Sequence, residues 1–316
     1  AAAYLGRLFY SYKDRYMFTG TVRRDGYSAF GQNNPWATFW SVGGSWVFSE
    51  EKFMEGFDWL NNGKLRVSYG TNGNRQLADT YLALSNLKDG GVMGYWNNGA
   101  SSVVHALEVE RLANPNLEWE KTTSWNVGVD FAVLDYRLTG SIEWYHKKTH
   151  DMIMAKRLPD FTGFDNITTN LGEVQNSGIE ISLNSRNIET ENFTWGTSLG
   201  FSFNKNKINH LYYEYDENGK EMDDTTNKWF IGKPIGEIWD YEVDGIWQLD
   251  EAAEAAKVGQ MPGDPKVINH YTADDKADGT PVYNDNDKVF QGTTTPPIYW
   301  NMRNDFTFFK NWKFSF

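Results

Sequence analysis

The segment Asp274 to Asp287 (DDKADGTPVYNDND) concentrates the side chains best suited to holding a hard cation. A calcium loop presents oxygen ligands at alternating positions and uses a glycine for its sharp turn. With Asp274 at position one, Asp278 falls at five, Gly279 at six and Asp285 at twelve, and Asp287 follows two residues later. Lys276 takes position three, where a ligand oxygen belongs, and Asp replaces the usual Glu at twelve. Two readings stand side by side: a calcium site built from Asp274, Asp278, Asp285 and Asp287, or a solvated acidic turn.

A second constellation is aromatic. Tyr95, Trp96, Trp229, Trp239, Tyr241 and Trp247 fall in segments rich in Asn, Asp and Gly. Flat rings stack on sugar faces or line a peptide groove without needing charge; the same rings also pack loops against each other or against a partner. Covalent chemistry has no foothold. There are no cysteines, the sequence holds no HExxH and no G-x-S-x-G, and Gly70 to Gly73 (GTNG) reads as a turn rather than a phosphate loop. His146 and His150 lie four apart near a strand end, which separates them by about 13 Å and makes them poor joint ligands. Adjacent carboxylates such as Glu50 and Glu51, or Asp223 and Asp224, point opposite ways in a strand and are solvated in a loop. The expectation is a protein that is not an enzyme, with no cofactor beyond calcium in a loop.

The elements that carry these residues are strands. Trp125, Val127, Val129, Phe131 and Val133 alternate with Asn126, Gly128, Asp130 and Ala132, and Trp195 to Asn204 repeats the pattern with Gly and Ser on the second face. A period of two is the signature of a β-strand with unlike faces. The same rule predicts about ten strands: 4–12, 16–24, 37–48, 64–71, 119–133, 137–147, 178–187, 193–204, 298–308 and one beginning at 312. The links between them alternate, short ones such as 13–15, 134–136 and 309–311 against long ones such as 72–118, 148–177 and 205–297. The Asn- and Gly-rich stretch Gly90 to Asn98 is read as loop. One short helix is predicted over Leu249 to Val258, with Asp250 as N-cap and Gly259 as terminator.

Composition narrows the class. The 30 Lys and Arg against 42 Asp and Glu leave a net charge of −12, so nucleic acid is not an expected partner. The chain carries 14 Trp, 17 Tyr and 20 Phe, yet its mean hydropathy is −0.61. No stretch reaches the roughly 18 apolar residues of a spanning helix, whereas a closed β-barrel crosses a bilayer with strands that never look greasy on average. No secretion signal opens the sequence, as expected of a mature protein or a fragment. On strand pattern alone, an all-β antiparallel transmembrane barrel and a soluble or surface β-sandwich that binds glycans through its loops are equally good readings. Tight turns at one end and long loops at the other favour the barrel. No low-complexity linker divides residues 1–316, so the chain is read as one domain.

Several separated segments resemble the SusC/RagA-like branch of the TonB-dependent outer-membrane transporters. They include Tyr12 to Asp25 (YKDRYMFTGTVRRD), Trp46 to Met54 (WVFSEEKFM), Lys64 to Asn74 (KLRVSYGTNGN) and Asn114 to Gly128 (NPNLEWEKTTSWNVG). Arg137 to Lys148 (RLTGSIEWYHKK), Leu171 to Glu180 (LGEVQNSGIE) and Ile231 to Gln248 (IGKPIGEIWDYEVDGIWQ) follow in the family's order. The resemblance implies part of a larger barrel with long extracellular loops, in the Gram-negative outer membrane, without the plug and amino-terminal region. It implies import of oligosaccharides or peptides. The implied partners are outer-membrane lipid, a SusD-like surface lipoprotein as lid, and the TonB complex acting through the plug. A free sheet edge in lipid leaves backbone groups unpaired, so this piece is not expected to be stable in a membrane by itself.

Overall fold

A computed structural model describes residues 1–75, 77, 79–97 and 100–316, with backbone alone between 90 and 106. The strands in chain order are β1 (Ala2–Tyr12), β2 (Tyr16–Gly26), β3 (Trp36–Val47), β4 (Leu60–Asn74), β5 (Asn86–Asn97), β6 (Ala100–Arg111), β7 (Glu120–Val133) and β8 (Leu138–Arg157). They continue with β9 (Asn166–Glu189), β10 (Phe193–His210), β11 (Glu237–Tyr241), β12 (Val243–Ile246), β13 (Pro265–Val267), β14 (Lys288–Thr293), β15 (Ile298–Phe308) and β16 (Trp312–Ser315). A short helix, α1 (Ala252–Lys257), separates β12 from β13.

Ten of these strands form one antiparallel sheet in the order β1-β2-β3-β4-β7-β8-β9-β10-β15-β16. Neighbours in the sheet follow one another in sequence except where β5–β6 and β11–β14 intervene. The connections at one end are tight: Lys13 and Asp14 sit at φ 54° and 53°, and Phe309 and Lys310 at 50° and 65°. Positive φ at both central residues of the β-turn, closed in the first case by the Arg15 N–H to Tyr12 O at 3.1 Å, matches it to the strand twist. The β3–β4 link, with two single 3₁₀ turns at Phe48–Glu50 and Lys52–Met54, is the long exception at this end.

The chain forms two compact units, Ala1–Met222 with Pro297–Phe316, and Asp223–Pro296. In the first, the buried core lies among the long connections. Phe30, Phe39, Ala83, Leu117 and Trp119 cluster there, with Phe30 stacked on Trp119 at 4.6 Å. In the second, β11 pairs with β14 and β12 with β13, and Phe230 meets the rings of Trp239 and Phe290 edge-on at 5.1 and 5.0 Å.

Four expectations need correction. The residues 148–177 expected as a link are mostly ladder, because β8 and β9 run on to Arg157 and back from Asn166, leaving only 158–165 between them. Gly90 to Asn98, read as loop, contributes to β5 through Asn97. Gly70 to Gly73 lies inside β4 and pairs with β7 from Ser124 to Lys121; the missing side chains leave room for Ser41 and Phe39 to pack over them. The helix starts later than expected, at Ala252 with Glu251 in the cap position, and Asp250 belongs to a preceding 3₁₀ turn, Leu249–Glu251, whose cap is Gln248 and whose Glu251 accepts the Gln248 backbone N–H at 3.0 Å. Gly259 ends it at φ 75°, as the sequence suggests.

Candidate functional site

Register sorts the ten-stranded sheet into two chemically unlike faces. Cross-strand neighbours Val67 and Val127, Val129 and Ile142, Ile181 and Phe201, and Leu199 and Met302 share one face. Ser68 and Asn126, Ser141 and Ser182, Gly200 and Asn301, and Ser198 and Arg303 share the other. A period of two held in register over ten strands keeps each rank continuous across the sheet.

The apolar rank is uncovered. Trp125 and Trp144 are each 45% exposed and Trp300 is 70% exposed. In a β-sandwich this rank would meet a second sheet about 10 Å away and be buried; its exposure removes the sandwich reading. On β10 the rank runs from Phe203 to Phe193. That is about 33 Å of strand, or about 25 Å once tilted by the 40° or so usual in outer-membrane barrels, which matches their lipid-facing band. Aromatic rings mark both limits, Trp125 and Trp144 toward the long loops and a cluster of Trp195, Phe306, Phe308 and Phe314 toward the tight turns. The Trp195 indole donates to Asn304 Oδ1 at 3.1 Å, so its polar edge is met within the wall.

The polar rank holds charge as well as small residues. Arg66 donates from Nε and Nη2 to both Asp130 oxygens at 2.8 Å, and from Nη2 to Glu143 Oε1 at 2.5 Å. Gly128 lies beneath, between Arg66 and Glu143 in register, and a Cβ there would come within 3.1 Å of the guanidinium. Next to Glu143 in register stands the exposed Glu180. A groove on this face is lined by Ser141, Glu143, Glu180, Ser182, Ser202, Tyr299 and Asn301, with Gly200 on its floor. Hydroxyls, amides and carboxylates facing one shallow trough exchange hydrogen bonds with a polar cargo or with water. Nothing in the sequence singles out this cluster, although Arg66, Asp130 and Glu143 all stand on the wet rank of their strands.

The loop aromatics divide. Trp239 and Tyr241 on β11 are brought together by Lys288, whose ammonium lies 4.8 Å and 5.3 Å from their ring centres. Asp285 holds that ammonium at 2.8 Å and raises its pKa, so the cation–π contacts persist at neutral pH. Trp247 is joined to the β12–β13 side: its indole donates to Gln260 at 2.8 Å and Lys266 lies 4.7 Å over its ring. Trp239 and Trp247 are buried at 8% and 9% exposure, which commits them to packing within their unit. Trp229 is half-buried beside Asp224. Tyr95 and Trp96 fall on the backbone of β5, and their side chains lie outside the described residues.

The acidic loop does not converge on a cation. Asp287 is fully buried; its Oδ1 accepts the backbone N–H groups of His270 and Tyr271 at 3.0 and 2.9 Å, and its Oδ2 that of Asn284 at 2.9 Å. Burial pushes its pKa up, but the three donors outweigh it and hold the carboxyl below its ordinary value. Asp274 accepts from the amides of Asn284 and Asn286, Asp278 from the N–H of Thr280, and Asp285 pairs with Lys288. Among the described residues no group of three or more acidic or histidine side chains is placed to hold a metal ion. The four acids brace the loop through these protein partners. His146 and His150 are likewise separate: His146 meets Ser177 and His150 meets Asp151, each at 2.8 Å.

A continuous antiparallel sheet with one lipid-compatible face, one wet face, tight turns at one end and long loops at the other is the wall of an outer-membrane β-barrel. The chain belongs to the family described as TonB dependent receptor-like, beta-barrel, which matches residues 3–316. It is 36% identical over 249 residues to TonB-dependent receptor P39 of Formosa agariphila, covering 78% of this chain and 22% of that protein. It is 37% identical over 212 residues to SusC of Bacteroides thetaiotaomicron, covering 66% of this chain and 21% of the relative. In structure it is similar to the RagAB peptide transporter, with a TM-score of 0.75 and 25% identity over 97% of this chain and 32% of that one. The chain thus spans less than a third of the relatives it matches. The family consists of Gram-negative outer-membrane barrels that transport and are not enzymes.

Proposed function

We propose that this chain forms part of the barrel wall of a TonB-dependent importer that moves oligosaccharides or peptides too large for diffusion pores. The observation that carries this reading is the pairing of an exposed apolar rank with a groove of hydroxyl, amide and carboxylate groups directly behind it. Lipid takes the first face. The second borders an aqueous passage and offers many weak hydrogen bonds, which suit a hydroxyl-rich or amide-rich cargo that must also leave. The name of a similar structure, the RagAB peptide transporter, supports a peptide cargo. SusC supports the same branch of the family. On this reading a SusD-like lipoprotein closes over the loops, and the TonB complex acts through a plug contributed by the rest of the protein.

The test uses the full-length receptor in its native outer membrane, with uptake of fluorescent oligosaccharide and peptide libraries measured with and without TonB. Tryptophan at Ser182, within the groove, is expected to lower TonB-dependent uptake, whereas tryptophan at Leu183, the next residue on the opposite face, is expected to leave it near wild type. Equal uptake by both variants and wild type would remove the groove from the transport path.

A further inference from the structure

Toward the long loops, on the same face as the apolar band, the side chains change from rings to ammonium groups. Trp144, Ile179 and Phe203 are aligned neighbours on β8, β9 and β10. One register row outward stand His146, Ser177 and Lys205, and the next row is Lys148, Gln175 and Lys207. Strand geometry sets Lys205 and Lys207 about 7 Å apart on one face, with Lys148 about 10 Å away across β9. Lys205 and Lys207 are exposed and, among the described residues, have no ion-pair partner. Lys148 is joined to Glu173 at 2.9 Å, so that acid is already neutralised and leaves the other two ammoniums uncompensated. This occurs in a chain with 42 acidic against 30 basic residues, where a carboxylate neighbour is the ordinary fate of a lysine.

The position decides what can meet these charges. Lys205 shares the register row of Trp125, one row past Trp144, and Lys207 and Lys148 stand one row beyond Trp125, at the end where the connections are long, which in outer-membrane barrels is the extracellular side. A lysine there lays its aliphatic stem along the apolar band and delivers its ammonium to the headgroup layer. Water alone would satisfy one ammonium; a pair spaced at about 7 Å, flanked by the Gln175 amide and the Ser177 hydroxyl, matches a phosphate whose oxygens need several donors at once. We infer that Lys205 and Lys207, with Lys148 across β9, bind the phosphate of a phosphorylated glycolipid in the outer leaflet, whose acyl chains lie on Phe203 and Ile179. The inference rests on the barrel's placement in the outer membrane and not on the nature of its cargo.

The experiment uses the full-length receptor in lipid nanodiscs containing equal mole fractions of phosphorylated lipid A and the same lipid A stripped of phosphate, with retained lipid read by native mass spectrometry. The wild type is expected to retain the phosphorylated form at least about tenfold over the stripped form, as expected for two or three cation contacts to an anionic headgroup. K205E/K207E is expected to abolish that preference, and the milder K205Q/K207Q to reduce it if charge reversal prevents insertion. K310Q, at the tight-turn end, is expected to keep it. A wild type without preference, a preference that survives K205Q/K207Q, or displacement of the glycolipid by inorganic phosphate alone would each overturn the inference. Lipid retention is read independently of uptake, so its failure leaves the import reading standing.

Discussion

Arg66 grips Asp130 through two parallel hydrogen bonds, Nε to Oδ2 and Nη2 to Oδ1, both 2.8 Å long. The residues stand on neighbouring strands, β4 and β7, and the guanidinium extends on to Glu143 of β8. One cation thereby crosslinks three strands and holds two carboxylates that would otherwise face each other.

Removing the cation should loosen this part of the wall. Arg66→Met leaves Asp130 and Glu143 unneutralised, at a cost of about 1–3 kcal/mol for partly exposed groups. Arg66→Lys should recover only part of this, because an ammonium cannot reproduce the two-pronged bond. The midpoint of heat-modifiable gel mobility of the full-length receptor measures both, and an Arg66→Met midpoint equal to wild type would show the triad to be ornamental.

Adjacent residues on β9 should respond oppositely to the same charge. Leu183→Arg places a guanidinium in the apolar rank, with a cost of about 2–4 kcal/mol near the middle of the bilayer. Ser182→Arg puts it on the wet face, where the cost should be close to zero. Outer-membrane assembly yield distinguishes them; comparable losses would mean the faces have been assigned to the wrong solvents.

Asp287 makes the loop unit sensitive to acid. Its carboxyl lies below the ordinary value in the folded protein, so its contribution is fully present above the unfolded pKa of about 3.9 and is lost as pH falls through the lower, folded value. Asp287→Ala leaves three buried N–H donors unmet and should cost about 3 kcal/mol, seen as faster proteolysis within residues 223–296 of the full-length protein. A chelator should leave wild-type proteolysis unchanged, since protein donors already satisfy the carboxylates; protection by added calcium would restore the cation reading of the loop.

Gly31 should not tolerate a side chain. Its N–H donates to Leu117 O at 2.9 Å, and a Cβ would come within 2.2 Å of Pro115 O. Gly31→Val should therefore separate the 27–35 connection from the Leu117 core, at about 1–3 kcal/mol, detected as new protease cleavage in that connection.

All ten strands of the large sheet are legible in the sequence because each has to present unlike faces to lipid and water, which imprints a period of two. The period fades where the solvent becomes the same on both sides. From His146 to Asp151 the residues of β8 are His, Lys, Thr and Asp on either face, and Met152 to Ala155 follow as an unbroken apolar run, so no alternation says that the ladder continues to Arg157. The small β11–β14 sheet was invisible for another reason: Glu237–Tyr241 pairs with Lys288–Thr293 some fifty residues later, and such pairing depends on how the intervening chain folds. Trp239 and Trp247 show the same limit at the level of single residues. Their types suit a sugar platform, but burial against Phe230 and a hydrogen bond to Gln260 assign them to the interior of the loop unit.

The amino-acid order by itself determined that this chain makes a two-faced antiparallel wall, because side-chain alternation is a local property that solvent on each face enforces residue by residue. Only the tertiary structure decided which polar residues meet across strands. Arg66 finds Asp130 and Glu143, the acids of the 274–287 loop find backbone and amide donors, and Lys205 and Lys207 are left without an ion-pair partner among the described residues, since register brings together residues that the sequence holds far apart.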